Sequence, residues 1–213
     1  MASNSSDLAV SPGVGQQSTK ILIAGGFGVG KTTMVETISE ITPLRTEEVL
    51  SAIGADVDDL TGVERKGSTT VALDFGRITV SSEVIIYLFG TPGQDRFWFM
   101  WDELANGALG AVVLADTRRL EACFPAVDFF ERRGIPFVLA INCFDGAERY
   151  DPDEIRGAAD LDPIVPVILC DVRQRESCKD VLINLLKYLI RLSTLGGPVH
   201  YGQQPVGVAE SAS

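Results

Sequence analysis

Residues 21 to 32 read Ile-Leu-Ile-Ala-Gly-Gly-Phe-Gly-Val-Gly-Lys-Thr, an apolar run feeding a glycine loop that fits GxxxxGKT from Gly25 to Thr32. In such a loop the backbone N–H groups of Gly25, Gly26, Phe27, Gly28, Val29 and Gly30 turn toward a nucleoside triphosphate. Lys31 reaches its β- and γ-phosphates, and the Thr32 hydroxyl is left for Mg²⁺, with Thr33 beside it. Residues 32 to 41 carry Met34, Val35, Ile38 and Ile41 on one helical face. Strand, loop and helix thus follow in the order a phosphate-binding loop needs. This outweighs the bland reading, a glycine turn with a lysine for solubility.

Composition narrows the rest. At 213 residues, 46% hydrophobic and 22% charged, the chain is long enough for one substantial core. A net charge of −11 and a pI of about 4.5 argue against nucleic acid or an anionic membrane as the main partner. Cys123, Cys143, Cys170 and Cys178 form no CxxC pair, so they read as reduced, mostly buried thiols of a cytoplasmic protein. His200 is the single histidine, and no apolar stretch approaches a membrane span. With Ala2 in place of the glycine that myristoylation needs and no CaaX pattern in the sequence, no lipid anchor is expected.

Residues 1–18 and 195–213, rich in Ser, Gly, Gln and Pro, are expected to be disordered tails around a domain at 19–194. Within it, strands are predicted at Lys20–Gly25, Val71–Val80, Val84–Phe89, Gly110–Ala115, Pro136–Asn142 and Val165–Leu169. Helices are predicted near 31–41, 95–106, 119–133, 152–159 and 176–193, and a short one at 46–53 with Thr46 as N-cap. The last long helix carries a stripe of Val181, Leu182, Leu185, Leu186, Leu189 and Ile190. The alternation predicts an α/β P-loop NTPase, a mostly parallel six-stranded sheet with helices on both faces. Ligand groups then belong at the carboxyl ends of the strands.

A P-loop does not choose between ATP and GTP. Asn142-Cys143-Phe144-Asp145 follows a buried strand where a base-reading NKxD motif falls. Asp145 suits the paired N1 and N2 donors of guanine, and Asn142 suits N7 and a brace on the P-loop. The alternative is an Asx turn closing a strand.

With these motifs the chain resembles a Ras-like small GTPase over about residues 20–193. Thr70-Val71-Ala72-Leu73-Asp74-Phe75 is similar to switch I, which implies that Thr70 joins Thr32 at Mg²⁺ and senses the γ-phosphate. Gly90-Thr91-Pro92-Gly93-Gln94 is similar to switch II. The resemblance makes Gly93 a γ-phosphate reader and Gln94 the catalytic residue that orients water. Cys170-Asp171-Val172-Arg173 falls at the last base-contacting motif, which implies a Val172 N–H to guanine O6.

More closely, Gly30-Lys31-Thr32-Thr33, Leu88 to Gln94 and Asn142 to Gly146 resemble the conservon-encoded GTPases of filamentous bacteria, relatives of gliding-motility polarity GTPases. That resemblance implies GTP/GDP and Mg²⁺ as ligands. As protein partners it implies a roadblock-fold protein and a sensor kinase-like protein, engaged through switch I and the aromatic helix at 95–106.

Three positions depart from the pattern. Gly90 replaces the aspartate that holds Mg²⁺ through water, leaving Thr32, Thr70 and phosphate oxygens, or a substitute carboxylate such as Asp116. Phe27 stands where a glycine leaves room for an arginine finger, so hydrolysis is expected to be slow or to draw on Arg45 or Arg65 in cis. Cys143 replaces the lysine that stacks on the base, which lowers expected affinity. Phe97, Trp98, Phe99, Met100 and Trp101 cannot all face one core, so a partner surface competes with simple burial there. Three functions remain open: a slow GTPase switch in a bacterial signalling complex, a pseudo-GTPase scaffold, and a P-loop ATPase or kinase.

Overall fold

The computed structural model describes residues 17–50, 69–93 and 99–195, with backbone alone at 45–50, 69–72 and 99. In chain order the elements are β1 (Gln17–Gly25), α1 (Lys31–Ile38), β2 (Leu44–Leu50), β3 (Thr69–Thr79), β4 (Val84–Gly90) and α2 (Phe99–Ala105). There follow β5 (Ala108–Ala115), a 3-10 segment (Thr117–Cys123), α3 (Phe124–Arg133), β6 (Phe137–Asn142), α4 (Pro152–Ala158), β7 (Val167–Cys170) and α5 (Arg175–Thr194). The strands form one sheet in the order β2-β3-β4-β1-β5-β6-β7. Pairings from β4 through β7 are parallel, while β3 runs antiparallel to both β2 and β4.

Alternation along β1 divides the core. Ile21 and Ile23 pack with Met34, Val35 and Ile38 of α1 and with Val181 and Leu185 of α5. Leu22 and Ala24 face the other way, onto Trp101, Val127, Phe130 and Ile155 of α2, α3 and α4. Helices therefore cover both sides of a sheet whose central strands are apolar throughout.

The sheet has seven strands rather than the six predicted. The extra one, β2, covers residues 44–50, where the sequence predicts a helix at 46–53 capped by Thr46; 51–53 lie outside the described residues. Without β2, β3 would present a row of unpaired N–H and C=O groups. The antiparallel ladder from Leu44↔Phe75 to Leu50↔Thr69 supplies their partners. A helix preference of a few tenths of a kcal/mol per residue cannot outweigh about seven residues of ladder.

The helix predicted at 119–133 is divided as well. Arg119 has φ −151° and ψ 57°, which breaks the turn, and α3 begins only at Phe124 with Pro125 in its first turn. On α5 the buried stripe is Cys178, Val181, Leu182, Leu185, Tyr188 and Leu189, while Ile190 points outward, one step off the 3.6-residue period. Of the predicted tails, 1–16 and 196–213 lie outside the described residues; Gln17 and Ser18 begin β1. Among the described residues no helix is long and apolar enough to cross a membrane.

Candidate functional site

Parallel strands bring their carboxyl ends to one edge of the sheet. There the loop after β1 meets Thr91–Gly93 after β4, Asp116 after β5, Asn142–Asp145 after β6 and Asp171–Arg173 after β7.

The phosphate end is tightly constructed. Lys31 Nζ donates to the carbonyls of Gly25 (2.8 Å) and Gly26 (2.7 Å), so the lysine spans its own loop. Burial pushes its ammonium down to about 8, with the nearby Asp74 carboxylate opposing. Gly93 lies against it: a Cβ at 93 would stand 2.5 Å from Lys31 Nζ and 3.2 Å from the Gly26 carbonyl oxygen. A side chain at 93 would have to push the Lys31 ammonium off its place beside the loop carbonyls. Gly30 is in the left-handed region at φ +107°, and a Cβ there would meet the Asn142 amide nitrogen and a Val172 methyl at 2.9 Å each.

Beside Lys31, Thr32 Oγ1 donates to Asp74 Oδ2 at 2.5 Å. Asp74 is buried on β3 directly opposite Gly90 of β4, and a Cβ at 90 would sit 3.1 Å from the Asp74 Cβ. The carboxylate missing from position 90 is thus present in the same place, carried by the neighbouring strand. Sequence reasoning missed this role although Asp74 lies within the quoted switch I segment, because the signal is a cross-strand register 16 positions away in sequence. Asp116, the substitute considered from sequence, is turned elsewhere. It is buried, caps the 3-10 segment through the Arg118 N–H, and is held in a two-pronged pair by the Arg118 guanidinium, which also lowers its pKa. Two adjacent hard oxygen donors, the Thr32 hydroxyl and the Asp74 carboxylate, fit a Mg²⁺ site.

Phe27 is 69% exposed, so its ring points away from the loop interior rather than filling it. Its carbonyl accepts from Arg119 Nη2 at 3.4 Å, which sets a guanidinium on the loop's rim. Arg119 did not stand out in the sequence, where it sits inside an apparently continuous helix. Arg65 and the Arg45 side chain lie outside the described residues, as do Gln94, Phe97, Trp98 and the side chain of Thr70. The Thr70 backbone is part of β3, opposite Val49.

Trp101 belongs to the core. It is 3% exposed, stacks edge-on to Phe129 at 5.3 Å, and its Nε1 donates to the Pro92 carbonyl at 3.2 Å. It therefore reports on the segment that holds Gly93.

The base end is looser. Asn142 is buried, its Nδ2 donating to the Val29 carbonyl at 3.0 Å and its Oδ1 accepting the Val172 N–H at 3.3 Å. Asn142 thus braces the P-loop as the sequence predicts, and the amide assigned to guanine O6 already donates within the site. Asp145 stands exposed three residues on, with both carboxylate oxygens taken by Arg173 at 2.8 and 3.0 Å. The Arg118 guanidinium lies 4.4 Å from the Phe144 ring centroid. Cys123, Cys170 and Cys178 are buried free thiols, pushed by burial to about 12, 12 and 11. Cys143 is partly exposed and free. Among the described residues no three His, Cys, Asp or Glu side chains group as metal ligands.

Residues 23–192 match the family described as "Conserved hypothetical ATP binding protein". The uncharacterized protein MJ1339 of Methanocaldococcus jannaschii is 30% identical over 132 residues, 61% of this chain and 73% of that one. Among solved structures, the G domain of the T. maritima FeoB iron transporter superposes with a TM-score of 0.58 at 18% identity, covering 81% of this chain and 99% of that one. The FeoB G-domain from Methanococcus jannaschii gives 0.55 at 16% identity, covering 82% and 99%. At such identities the likeness establishes the fold, that of an α/β P-loop NTPase.

Proposed function

The chain belongs to the family of conserved hypothetical ATP-binding proteins, and we propose that within it this member is a guanine-nucleotide switch that hydrolyses GTP slowly. One observation carries the choice of guanine: Asn142, the last residue of the strand that leads into Asp145, is tied to the P-loop carbonyl of Val29, so base reader and phosphate loop form one unit. Asp145 offers a carboxylate, which pairs with guanine's two donors and repels the bare N1 acceptor of adenine. The family description speaks of ATP, and Asp145 and Asn142 speak against it for this chain.

In this reading the loop amides of Gly25 to Gly30 and Lys31 hold the phosphates, with Thr32 and Thr33 at the start of α1. Thr32 and Asp74 would hold Mg²⁺, which would neutralise phosphate charge when bound; Thr70, four residues before Asp74 on β3 and so roughly 13 Å from it along the strand, would join them only if that end of β3 left its ladder. Gly93, packed on Lys31, senses the γ-phosphate, and Gln94 orients the attacking water. Phe27 stands exposed at the phosphate loop, on the side from which a partner's arginine finger would have to enter, and would keep unassisted turnover slow. Free thiols at four cysteines suit a cytoplasmic protein, and switch I with the helix around 95–106 is the surface for signalling partners such as a roadblock-fold protein or a sensor kinase-like protein.

Competition binding of GDP and ADP tests the base, and single-turnover phosphate release with Gln94→Ala as control tests the reaction. The reading requires GDP to bind at least tenfold tighter than ADP and release to fall in the variant. Equal binding of the two nucleotides would overturn the guanine assignment. GTP binding with no release would instead favour a nucleotide-holding scaffold.

A further inference from the structure

Arg173 grips the carboxylate assigned to guanine in the way guanine itself would grip it. Nη1 donates to Asp145 Oδ2 at 2.8 Å and Nη2 to Oδ1 at 3.0 Å, one nitrogen to each oxygen. The N1–C2–N2 edge of guanine is the same chemical fragment, two N–H donors flanking one carbon, with the same two-pronged reach. A carboxylate has one such end-on face, so it accepts one fork at a time. The guanidinium also has a second anchor. Its Nε donates to Asp171 Oδ1 and its Nη2 to Asp171 Oδ2, each at 2.9 Å, so its charge stays paired after Asp145 is surrendered. Paired in this way, Arg173 is held further above its usual range, and Asp145 and Asp171 below theirs, chiefly by these hydrogen bonds.

We propose that Arg173 is an affinity-determining residue that mimics guanine, closing Asp145 to the base except in the fraction of molecules where its guanidinium rests on Asp171 alone. This rests on Asp145 being the base reader. Because Asp145 and Arg173 are 84% and 52% exposed, the pair is weak enough to be displaced. Binding then proceeds only from the fraction of molecules in which Asp145 is open, which lowers the association rate and leaves dissociation untouched.

Stopped-flow binding of a fluorescent GDP to wild type, Arg173→Gln and Arg173→Lys tests it. Arg173→Gln should tighten GDP by about two- to fivefold, wholly in the association rate, and Arg173→Lys, charged but without the fork, should fall between. Rising salt should shrink the difference by screening the pair. Unchanged or weaker GDP binding, or a change confined to dissociation, would overturn the proposal. Asp145→Asn separates this failure from that of the base assignment. If it leaves GDP binding intact, Asp145 is not the base reader. If it abolishes GDP binding while Arg173→Gln does nothing, only the mimicry is wrong.

Discussion

At the phosphate end Lys31, Asp74 and Gly93 are packed against backbone, whereas at the base end Asp145 and Arg173 meet in open solvent. The first arrangement is enforced by sheet register and burial, where charge-assisted hydrogen bonds are worth about 1.5–3 kcal/mol. The second is an exposed ion pair, worth about 1 kcal/mol or less and screened by salt. The contrast sets a fixed, salt-resistant arrangement at one end and a displaceable, salt-sensitive one at the other.

The most severe way to test the contrast is to remove the buried cation. Lys31→Met should weaken GDP and GTP on the order of a hundredfold, as loss of about 3 kcal/mol of charged contacts requires. Fluorescent-nucleotide titration measures it, and a change under threefold would place the binding energy elsewhere.

The strand-borne carboxylate comes next. Asp74→Asn should raise the Mg²⁺ concentration needed for half-maximal GTP retention by about tenfold, and adding Gly90→Asp should recover most of that loss. Gly90→Asp alone sets two carboxylates in contact and should lower stability by about 1–3 kcal/mol in urea. If Asp74→Asn leaves the Mg²⁺ requirement unchanged, register has brought the two groups together without consequence.

Protonation of Lys31 offers a milder probe. Its pKa is about 8 when folded and 10.5 unfolded, so above pH 8 the unfolded chain holds more protons. Stability should therefore rise with pH between 8 and 9, by at most about 1.4 kcal/mol, relative to Lys31→Met. Above pH 9 ionisation of unfolded thiols opposes it, since the native thiols of Cys123 and Cys170 hold their protons to about 12. Nucleotide affinity should fall over the same window as the ammonium is lost. A flat difference between wild type and variant would mean Lys31 is not perturbed.

The smallest expected signal is optical. With Trp98→Phe, the remaining Trp101 bonds the Pro92 carbonyl next to Gly93, so GDP and a non-hydrolysable GTP analogue should give distinguishable Trp101 emission. Identical spectra would show that Gly93 does not move with the γ-phosphate.

Much of the site was legible because its pieces are local. The glycine loop, Lys31 and Thr32 are contiguous, and Asn142 to Asp145 directly follow a buried strand. Asp74 as neighbour of Gly90 and partner of Thr32 was not legible, because no periodicity in β3 or β4 reveals which residues face each other, and the Thr32 contact joins α1 to a strand 42 positions on. Trp101 was ambiguous for a related reason. A run of aromatics on one helix does not say which turn the sheet will cover.

The sequence by itself determined a strand, a phosphate loop and a helix at residues 21–38, the helix stopping at Ile38 short of the predicted 41 where Ser39 turns extended, and an α/β alternation after it, since backbone geometry and hydrophobic period act over a few residues. Tertiary structure alone decided that 44–50 is a strand, that Asp74 takes the place left by Gly90, and that Arg173 closes on Asp145. Each of these depends on backbone or side-chain partners distant in sequence, whose meeting is fixed by strand order and register rather than by any local preference.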